Sequence, residues 1–159
     1  MNNGDRFENF PLCWRFTDPN YNLVSDRDLM RIVPIDREHA RRLWQTSVSD
    51  WHDHITAFPS QYFAGCHRIT LDWNAKANGQ QRLVEEVHLG ADVKVLFFWS
   101  KSCAVQTDWA IVVRYWDDFC YPDDDNSVIV EPINAHRIFY SEEVLFVPPE
   151  LQCSDPTSK

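Results

Sequence analysis

The segment SVIVEPINAHRIFYSEEVLFV, residues 127–147, decides the fold class of this chain. It holds three short apolar runs, at 127–130, 137–140 and 144–147, with brief polar stretches between them. Runs of β-branched and aromatic residues separated in this way are typical of strands joined by tight turns. The second turn falls at 141–143. The segment therefore predicts an antiparallel meander of three strands.

Two segments upstream of the meander carry equally clear patterns. Residues 93–99, VKVLFFW, form a short apolar run that predicts a buried strand. From residue 109 onward, large apolar side chains recur at the spacing of one helical face. That face comprises Trp109, Val112, Val113, Trp116 and Phe119. We expect one helix here, capped by Thr107 or Asp108 and buried along this face.

The first half of the chain predicts helices with little strand between them. Ser25 and Asp36 are good N-caps for two helices. The other expected elements are a helix over 80–89 that Gly90 ends, an extended segment over 10–16 and a weak strand over 68–73. Helices in the N-terminal part of the sequence and a meander in the C-terminal part predict an α+β fold, with helices packed on one face of a mainly antiparallel sheet.

The length of the chain, 159 residues, is that of one domain. We expect a single globular domain over residues 1–159, with the tail 150–159 frayed. Hydrophobic residues make up 44% of the chain and aromatic residues 14%, which excludes a disordered protein. So many aromatic side chains suit either a large core or a binding face.

The net charge of −9 bears on the class of partner. Nucleic-acid binding depends on Lys and Arg, which release counterions from phosphates. Anionic membranes likewise attract basic segments. The charge therefore disfavours nucleic acid and membrane as partners, and it suits either a basic protein partner or simple solubility.

The cysteines indicate a reducing compartment. They are five in number, widely scattered and without a C-x-x-C pair, unlike a disulfide framework or a zinc site. The chain shows no signal-peptide pattern and no apolar run long enough to span a membrane. We expect a cytoplasmic protein with free, mostly buried thiols and no cofactor.

The strongest local feature is WDDFCYPDDDN, residues 116–126, which holds five aspartates and no basic residue. Such close negative charges must be solvated or met by a cation. One interpretation is a patch that docks a basic partner through Asp117, Asp118, Tyr121, Asp123, Asp124 and Asp125. The alternative is a solvated loop whose side chains bind local backbone N–H groups. A calcium loop is disfavoured, because Val128 stands where such a loop needs Gly.

A second cluster contains metal-ligating residue types. His52 and His54 would share a face on a strand, and Cys66 and His67 could complete a site if the fold brought them near. No fixed ligand spacing requires this, and the H-E-x-x-H pattern is absent. The chain also lacks a G-x-S-x-G nucleophile motif, and no cysteine has an electropositive setting in the sequence.

Three segments resemble a known group of proteins: CAVQTDW at 103–109, YWDDFCYP at 115–122 and IFYSEEVLF at 138–146. They are similar to a family of small acidic bacterial proteins with a W-x-x-F-C-Y-P-S-D-D core and an F-Y-x-E-E strand end. Asp123 replaces the serine of that core, so no role for a hydroxyl is implied there. Residues 1–90 carry no part of the resemblance. Small acidic proteins of this kind resemble immunity proteins that neutralise toxins between competing bacteria, some of them in the SUKH superfamily.

These patterns favour a non-enzymatic binding module. Most concretely, we expect an inhibitor or immunity-type protein that docks a basic partner, such as a nuclease toxin, through the acidic, aromatic-flanked loop. One alternative is a small metal-assisted hydrolase that uses His52, His54 and the aspartates. The other is a structural subunit of a larger assembly, because abundant Trp also suits a subunit interface.

Overall fold

A computed structural model describes residues 6–20, 24–50, 52–54, 57–122 and 126–153. The strands are β1 (Val33–Ile35), β2 (His67–Thr70), β3 (Lys94–Ser100), β4 (Cys103–Asp108), β5 (Asn126–Glu131), β6 (His136–Ser141) and β7 (Val144–Val147). They form one sheet of seven strands in the order β1-β4-β3-β5-β6-β7-β2, and each neighbouring pair runs antiparallel.

The helices are short, and most lie in the first two thirds of the chain. They are α1 (Trp14–Thr17), α2 (Asp26–Leu29), α3 (Arg37–Ser47), α4 (Lys76–Glu86), α5 (Trp109–Arg114) and α6 (Trp116–Phe119), with 3-10 turns at Ser60–Tyr62 and Pro149–Leu151. The caps predicted for α2 and α3 are confirmed, since Ser25 accepts a hydrogen bond from Asp28 N and Asp36 accepts one from His39 N. Asp108 occupies the N-cap position of α5, but its side chain makes no capping hydrogen bond there, contrary to the prediction. Within the described ranges, the helices lack the length and apolar character that crossing a membrane requires.

The predicted meander is confirmed, and with it the α+β class. β5 pairs with β6, and β6 pairs with β7. Glu142 and Glu143 form the turn between β6 and β7 with φ values of 49° and 68°. Two successive residues with positive φ suit the twist of a tight hairpin. The short polar turn therefore fixes the register of this hairpin.

Helices cover both faces of the sheet. Because strand residues alternate between faces, Phe97 packs in one core cluster with Trp116 and Phe119, whereas Phe98 packs in a second cluster with Trp44. The expectation of helices on one face therefore needs correction. α5 and α6 lie on the first face, but α3 lies on the second, because its apolar stripe is buried there.

The predicted helix over 109–119 is two short helices rather than one. The backbone leaves the helical region at Tyr115, where φ is −117° and ψ is 29°. The hydroxyl of Tyr115 donates to Asp28 Oδ2 at 2.7 Å, which ties the break between α5 and α6 to α2. All five residues of the predicted apolar face are nevertheless buried.

Several elements and boundaries differ from the prediction. Residues 10–16 form turns and the start of α1 instead of an extended segment. β4 was not predicted, because its Thr107 and Asp108 are polar yet buried. α4 ends at Glu86, before Gly90, since Val87 forms a bridge with Gln152. In the tail that we expected to be frayed, Leu151 is buried, and residues 154–159 lie outside the described residues.

Candidate functional site

The first two aspartates of the acidic segment lie in the interior. Asp117 and Asp118 on α6 are 6% and 3% exposed. α6 contacts both α1 and α4, and Lys76 Nζ at the start of α4 lies 3.0 Å from Asp117 Oδ1. The expectation that these two carboxylates belong to an exposed docking patch is therefore corrected. The neighbouring helices cover them.

Asp118 carries a buried carboxyl group with a raised pKa. Its Oδ2 atom is buried and has no hydrogen-bond partner among the residues that the structure describes. Burial raises the pKa of Asp118 to about 7, and the negative charge of Asp117 adds to the rise, while Lys76 and Arg15 act in the opposite direction. A carboxyl with this pKa changes its charge near neutral pH.

Arg15 on α1 is the buried cation beside this carboxyl. It is 6% exposed, and its NH1 donates to the carbonyl oxygen of Phe119 at 3.3 Å. Its guanidinium lies 4.1 Å from the centre of the Tyr121 ring and 5.8 Å from that of Trp99. A guanidinium over an aromatic face is a stabilising cation–π arrangement. The buried guanidinium of Arg15 therefore packs against the Tyr121 ring from inside the protein.

Trp14, Trp73 and Tyr121 form a partly exposed cluster that we call the aromatic surface. The Tyr121 ring meets Trp14 edge-on at a centroid distance of 5.6 Å and Trp73 at 5.1 Å. Trp73 is 38% exposed. Its Nε1 donates to the carbonyl oxygen of Cys120 at 2.9 Å. The hydroxyl of Tyr140 donates to the carbonyl oxygen of Tyr121 at 2.8 Å. The Trp73 ring and the backbone of Tyr121 are thus held in place by hydrogen bonds.

The rest of the predicted acidic site comes after Tyr121 and Pro122 in the chain. Asp123, Asp124 and Asp125 lie outside the described residues. Tyr121, which we predicted as the exposed aromatic residue, is partly exposed. Of the six residues that the sequence singled out, Tyr121 is therefore the one whose described position suits a surface contact.

The histidines of the second cluster serve local packing. The His52 ring stacks on Phe58 at 4.8 Å, and its Nδ1 lies 2.9 Å from Ser49 Oγ. Phe58 belongs to the core cluster on the face of the sheet opposite to α6. His67 pairs instead with Glu86 at 2.7 Å. His52 and the α6 aspartates, which the hydrolase alternative combined with His54, therefore lie on opposite faces of the sheet. The described ranges contain no group of three or more His, Cys, Asp or Glu residues that could hold a metal ion.

Two of the thiols are poorly suited to act as nucleophiles. The five cysteines, all within the described residues, are free. Burial raises the pKa of Cys103 to about 11, although Arg15 lowers it. Burial, together with the charge of Glu150, also raises the pKa of Cys66. A thiol with a raised pKa carries little thiolate at neutral pH and reacts slowly.

A separate apolar groove lies between α4 and α5. Ala77, Val84, Ala110 and Val113 line it, and Trp109 contributes to its floor. Val84 is 66% exposed, although it is a large aliphatic residue in the last turn of α4. This groove is distinct from the aromatic surface, since the two share no lining residue.

Sequence reasoning missed three contributors to the site. Trp14, Arg15 and Trp73 were not singled out, because they are distant in the chain from the acidic segment. Arg15 and Phe119, for example, are 104 positions apart. Only the surplus of aromatic residues signalled a site of this kind. That signal gives the residue type and not the position.

Comparison with curated proteins and with solved structures gives no match. A family model described as a protein of unknown function (DUF2947) matches residues 5–146. The match spans most of the chain and contains the aromatic surface. It agrees with the resemblance to an uncharacterised family at the C-terminal end. This chain belongs to the DUF2947 family.

Proposed function

We propose that this protein is a non-enzymatic binding module that docks a basic protein partner on the aromatic surface. The observation that carries the proposal is the edge-on packing of Tyr121 between Trp14 and Trp73 at centroid distances of 5.6 and 5.1 Å. Trp, Tyr and Arg are the residue types that dominate the binding energy of protein interfaces. All three rings of the surface belong to that set.

Hydrogen bonds to the backbone next to the aromatic surface also support a role in binding. Each of the backbone carbonyls of Phe119, Cys120 and Tyr121 accepts a hydrogen bond from a side chain of another part of the chain. Rings that are already held in place lose little conformational freedom when a partner binds. The aromatic surface is therefore pre-organised for contact.

Charge indicates the kind of partner. The chain carries a net charge of −9. In the sequence, Asp123, Asp124 and Asp125 come after Tyr121 of the aromatic surface, with Pro122 between. Fixed negative charge beside an aromatic anchor attracts a basic protein and raises its association rate. A nuclease toxin is a basic protein of this kind, because it binds phosphates through Lys and Arg. We propose an inhibitor or immunity-type role on this basis.

The test is affinity capture from the native cell extract with three immobilised proteins: wild type, Trp73→Ala and Ile133→Ser. Ile133 is 87% exposed at the turn between β5 and β6, so it offers a matched loss of exposed apolar surface elsewhere. We expect a basic protein that binds wild type and Ile133→Ser, elutes at raised salt and is lost with Trp73→Ala. Equal melting temperatures of the three proteins serve as the folding control.

Two further arms separate the alternatives. Val84→Asp places a charge in the α4–α5 groove, so loss of the partner with Val84→Asp but not with Trp73→Ala would favour a structural subunit and contradict the proposal. Purified partner is then assayed for nuclease activity. Activity that the wild-type protein suppresses supports the immunity-type role, and activity that it leaves unchanged contradicts that role.

A further inference from the structure

A cleft of about 830 Å³ lies at the edge of the sheet where β1 is the outermost strand. Three parts of the chain line it: residues 6 and 9–12, residues 34–37, and residues 99, 100, 102 and 103. The second part contains the end of β1 and the start of α3, and the third contains the turn between β3 and β4. Pockets that bind small molecules have volumes of roughly 300–1,000 Å³. The cleft therefore has room for a small molecule.

Part of the lining is apolar and aromatic. Phe10 is 6% exposed, and the centre of its ring lies 5.8 Å from that of Trp99. The Trp99 indole is held from inside the protein, because its Nε1 donates to the carbonyl oxygen of Phe119 at 2.9 Å and its ring stacks on the Phe119 ring at 5.7 Å. Ile35 adds an aliphatic side chain. A ligand with an apolar body would thus meet side chains that are in place before it binds.

Arg6 and Arg37 bring positive charge to the lining. Arg6 NH1 donates to the carbonyl oxygen of Met30 at 3.2 Å, which uses one of the N–H donors of its guanidinium. Among the residues that the structure describes, neither arginine forms an ion pair of the kind that Arg82 and Arg114 make with carboxylates. Guanidinium groups hold carboxylates through parallel N–H donors. The two arginines therefore suit the carboxylate of a ligand.

The other ionisable groups of the lining leave a positive charge in the cleft. Asp36 is engaged as the N-cap of α3, where its Oδ1 accepts a hydrogen bond from His39 N at 2.9 Å. Burial raises the pKa of Cys103 to about 11, so its thiol is uncharged at neutral pH. The two positive charges of Arg6 and Arg37 and the one negative charge of Asp36 give the lining a net charge of +1, whereas the chain carries −9. This contrast favours a ligand with one negative charge.

We propose that the cleft binds a small organic acid with an apolar body. The carboxylate of the acid binds the guanidinium groups of Arg6 and Arg37, and its apolar body packs on Phe10 and Trp99. None of the three residues of the aromatic surface lines the cleft. The proposal therefore goes beyond the docking of a protein partner, and its test does not depend on that function.

The test is an NMR titration of the full chain with 3-phenylpropanoate, acetate and 3-phenylpropanamide. Acetate lacks the apolar body, and the amide lacks the charge. The reporters are the indole N–H of Trp99 in the cleft and that of Trp109 in the α4–α5 groove, assigned from triple-resonance spectra. We expect 3-phenylpropanoate to shift the Trp99 signal to saturation and to leave the Trp109 signal unchanged. Acetate and the amide should each bind about tenfold more weakly or worse, because each lacks one of the two contacts.

Variants of the arginines test the position of the carboxylate. Arg37→Gln and Arg6→Gln should each weaken the binding of 3-phenylpropanoate about tenfold, because each removes a charged donor from the cleft. Arg41→Gln is the matched control, since Arg41 is an exposed arginine of the same helix as Arg37 and does not line the cleft. It should keep the wild-type affinity.

Four results would overturn the proposal. The first is the absence of saturable binding of 3-phenylpropanoate at millimolar concentration. The second is equal affinity for this acid and its amide. The third is a shift of the Trp109 signal in place of the Trp99 signal. The last is wild-type affinity in both Arg37→Gln and Arg6→Gln.

Discussion

Gly79 of α4 lies against the indole ring of Trp116. A Cβ atom added at Gly79 would lie 2.7 Å from two ring carbons of Trp116, closer than a real side chain allows. The ring cannot move freely, because its Nε1 donates to the carbonyl oxygen of Lys76 at 3.0 Å. The absence of a side chain at Gly79 is thus what lets α4 pack against α6.

Gly79→Ala should therefore destabilise the protein, although alanine is the better helix former. The gain in helix propensity is about 1 kcal/mol, and overpacking a core costs about 1–3 kcal/mol. We expect a net loss of about 1 kcal/mol in chemical denaturation. Asn78→Ala, at an exposed position of the same helix, should leave the free energy of unfolding equal or higher. A stabilised Gly79→Ala protein would mean that the two helices can separate without cost.

Asp118 sets the pH dependence of stability near neutrality. Its pKa rises from 3.8 to about 7 on folding, so the folded state binds more protons than the unfolded state between these values. Stability should consequently fall as pH rises through this window and level off above it. Asp118→Asn should abolish that fall, which makes the variant more stable than wild type at pH 8 by about 1–3 kcal/mol. Denaturation curves at pH 5 and pH 8 decide this, and an equal pH dependence in both proteins would contradict it.

At the scale of the elements, a network of ion pairs with buried carboxylates and partly exposed arginines joins α2 to the sheet and to α5. Asp28 Oδ2 accepts hydrogen bonds from Tyr115 and Arg114, at 2.7 and 2.6 Å. Arg31 links the same region to Asp108 at the end of β4, at 2.7 Å. Burial alone would raise the pKa of Asp28, but the hydrogen bonds from Tyr115 and Arg114 hold it below the ordinary value. The network therefore stabilises the folded state in its ionised form.

Asp28→Asn should cost about 1–3 kcal/mol of stability, because it removes the buried charged acceptor of the buried Tyr115 hydroxyl and of the half-exposed Arg114. Asp26→Asn is the matched control, since Asp26 is an exposed acid in the first turn of the same helix. Its effect should stay below about 0.5 kcal/mol. Equal melting temperatures of the two variants would show that the network carries no net stability. Since the pKa of Asp28 is lowered, its contribution should persist above about pH 4 and disappear at lower pH.

The predictability of the elements depends on whether burial follows hydrophobicity. The meander and β3 were predicted, because their apolar runs are also their buried runs. β4 was missed, since Thr107 and Asp108 are buried polar residues, and the break at Tyr115 was missed, since a hydrogen bond to the distant Asp28 fixes it. Local spacing cannot encode a long-range partner.

At the scale of the whole molecule, the same reason limits the prediction of the site. The sequence located the acidic segment and Tyr121, but it placed Asp117 and Asp118 on the surface. It could not find Arg15 or Trp73, which the sheet and helices bring to the segment from distant positions. The acidic run therefore divides into a buried part, Asp117 and Asp118, and a part beyond Pro122 whose role is proposed from the sequence.

The central claim is that the aromatic surface provides the anchor for a basic partner. The most direct test is the dissociation constant of the purified partner for Trp73→Ala, measured by calorimetry beside wild type and Ile133→Ser. Loss of an anchor residue at an interface costs about 2 kcal/mol or more, which is roughly a 30-fold weaker Kd. We predict that weakening for Trp73→Ala and wild-type affinity for Ile133→Ser. Wild-type affinity in Trp73→Ala would contradict the claim.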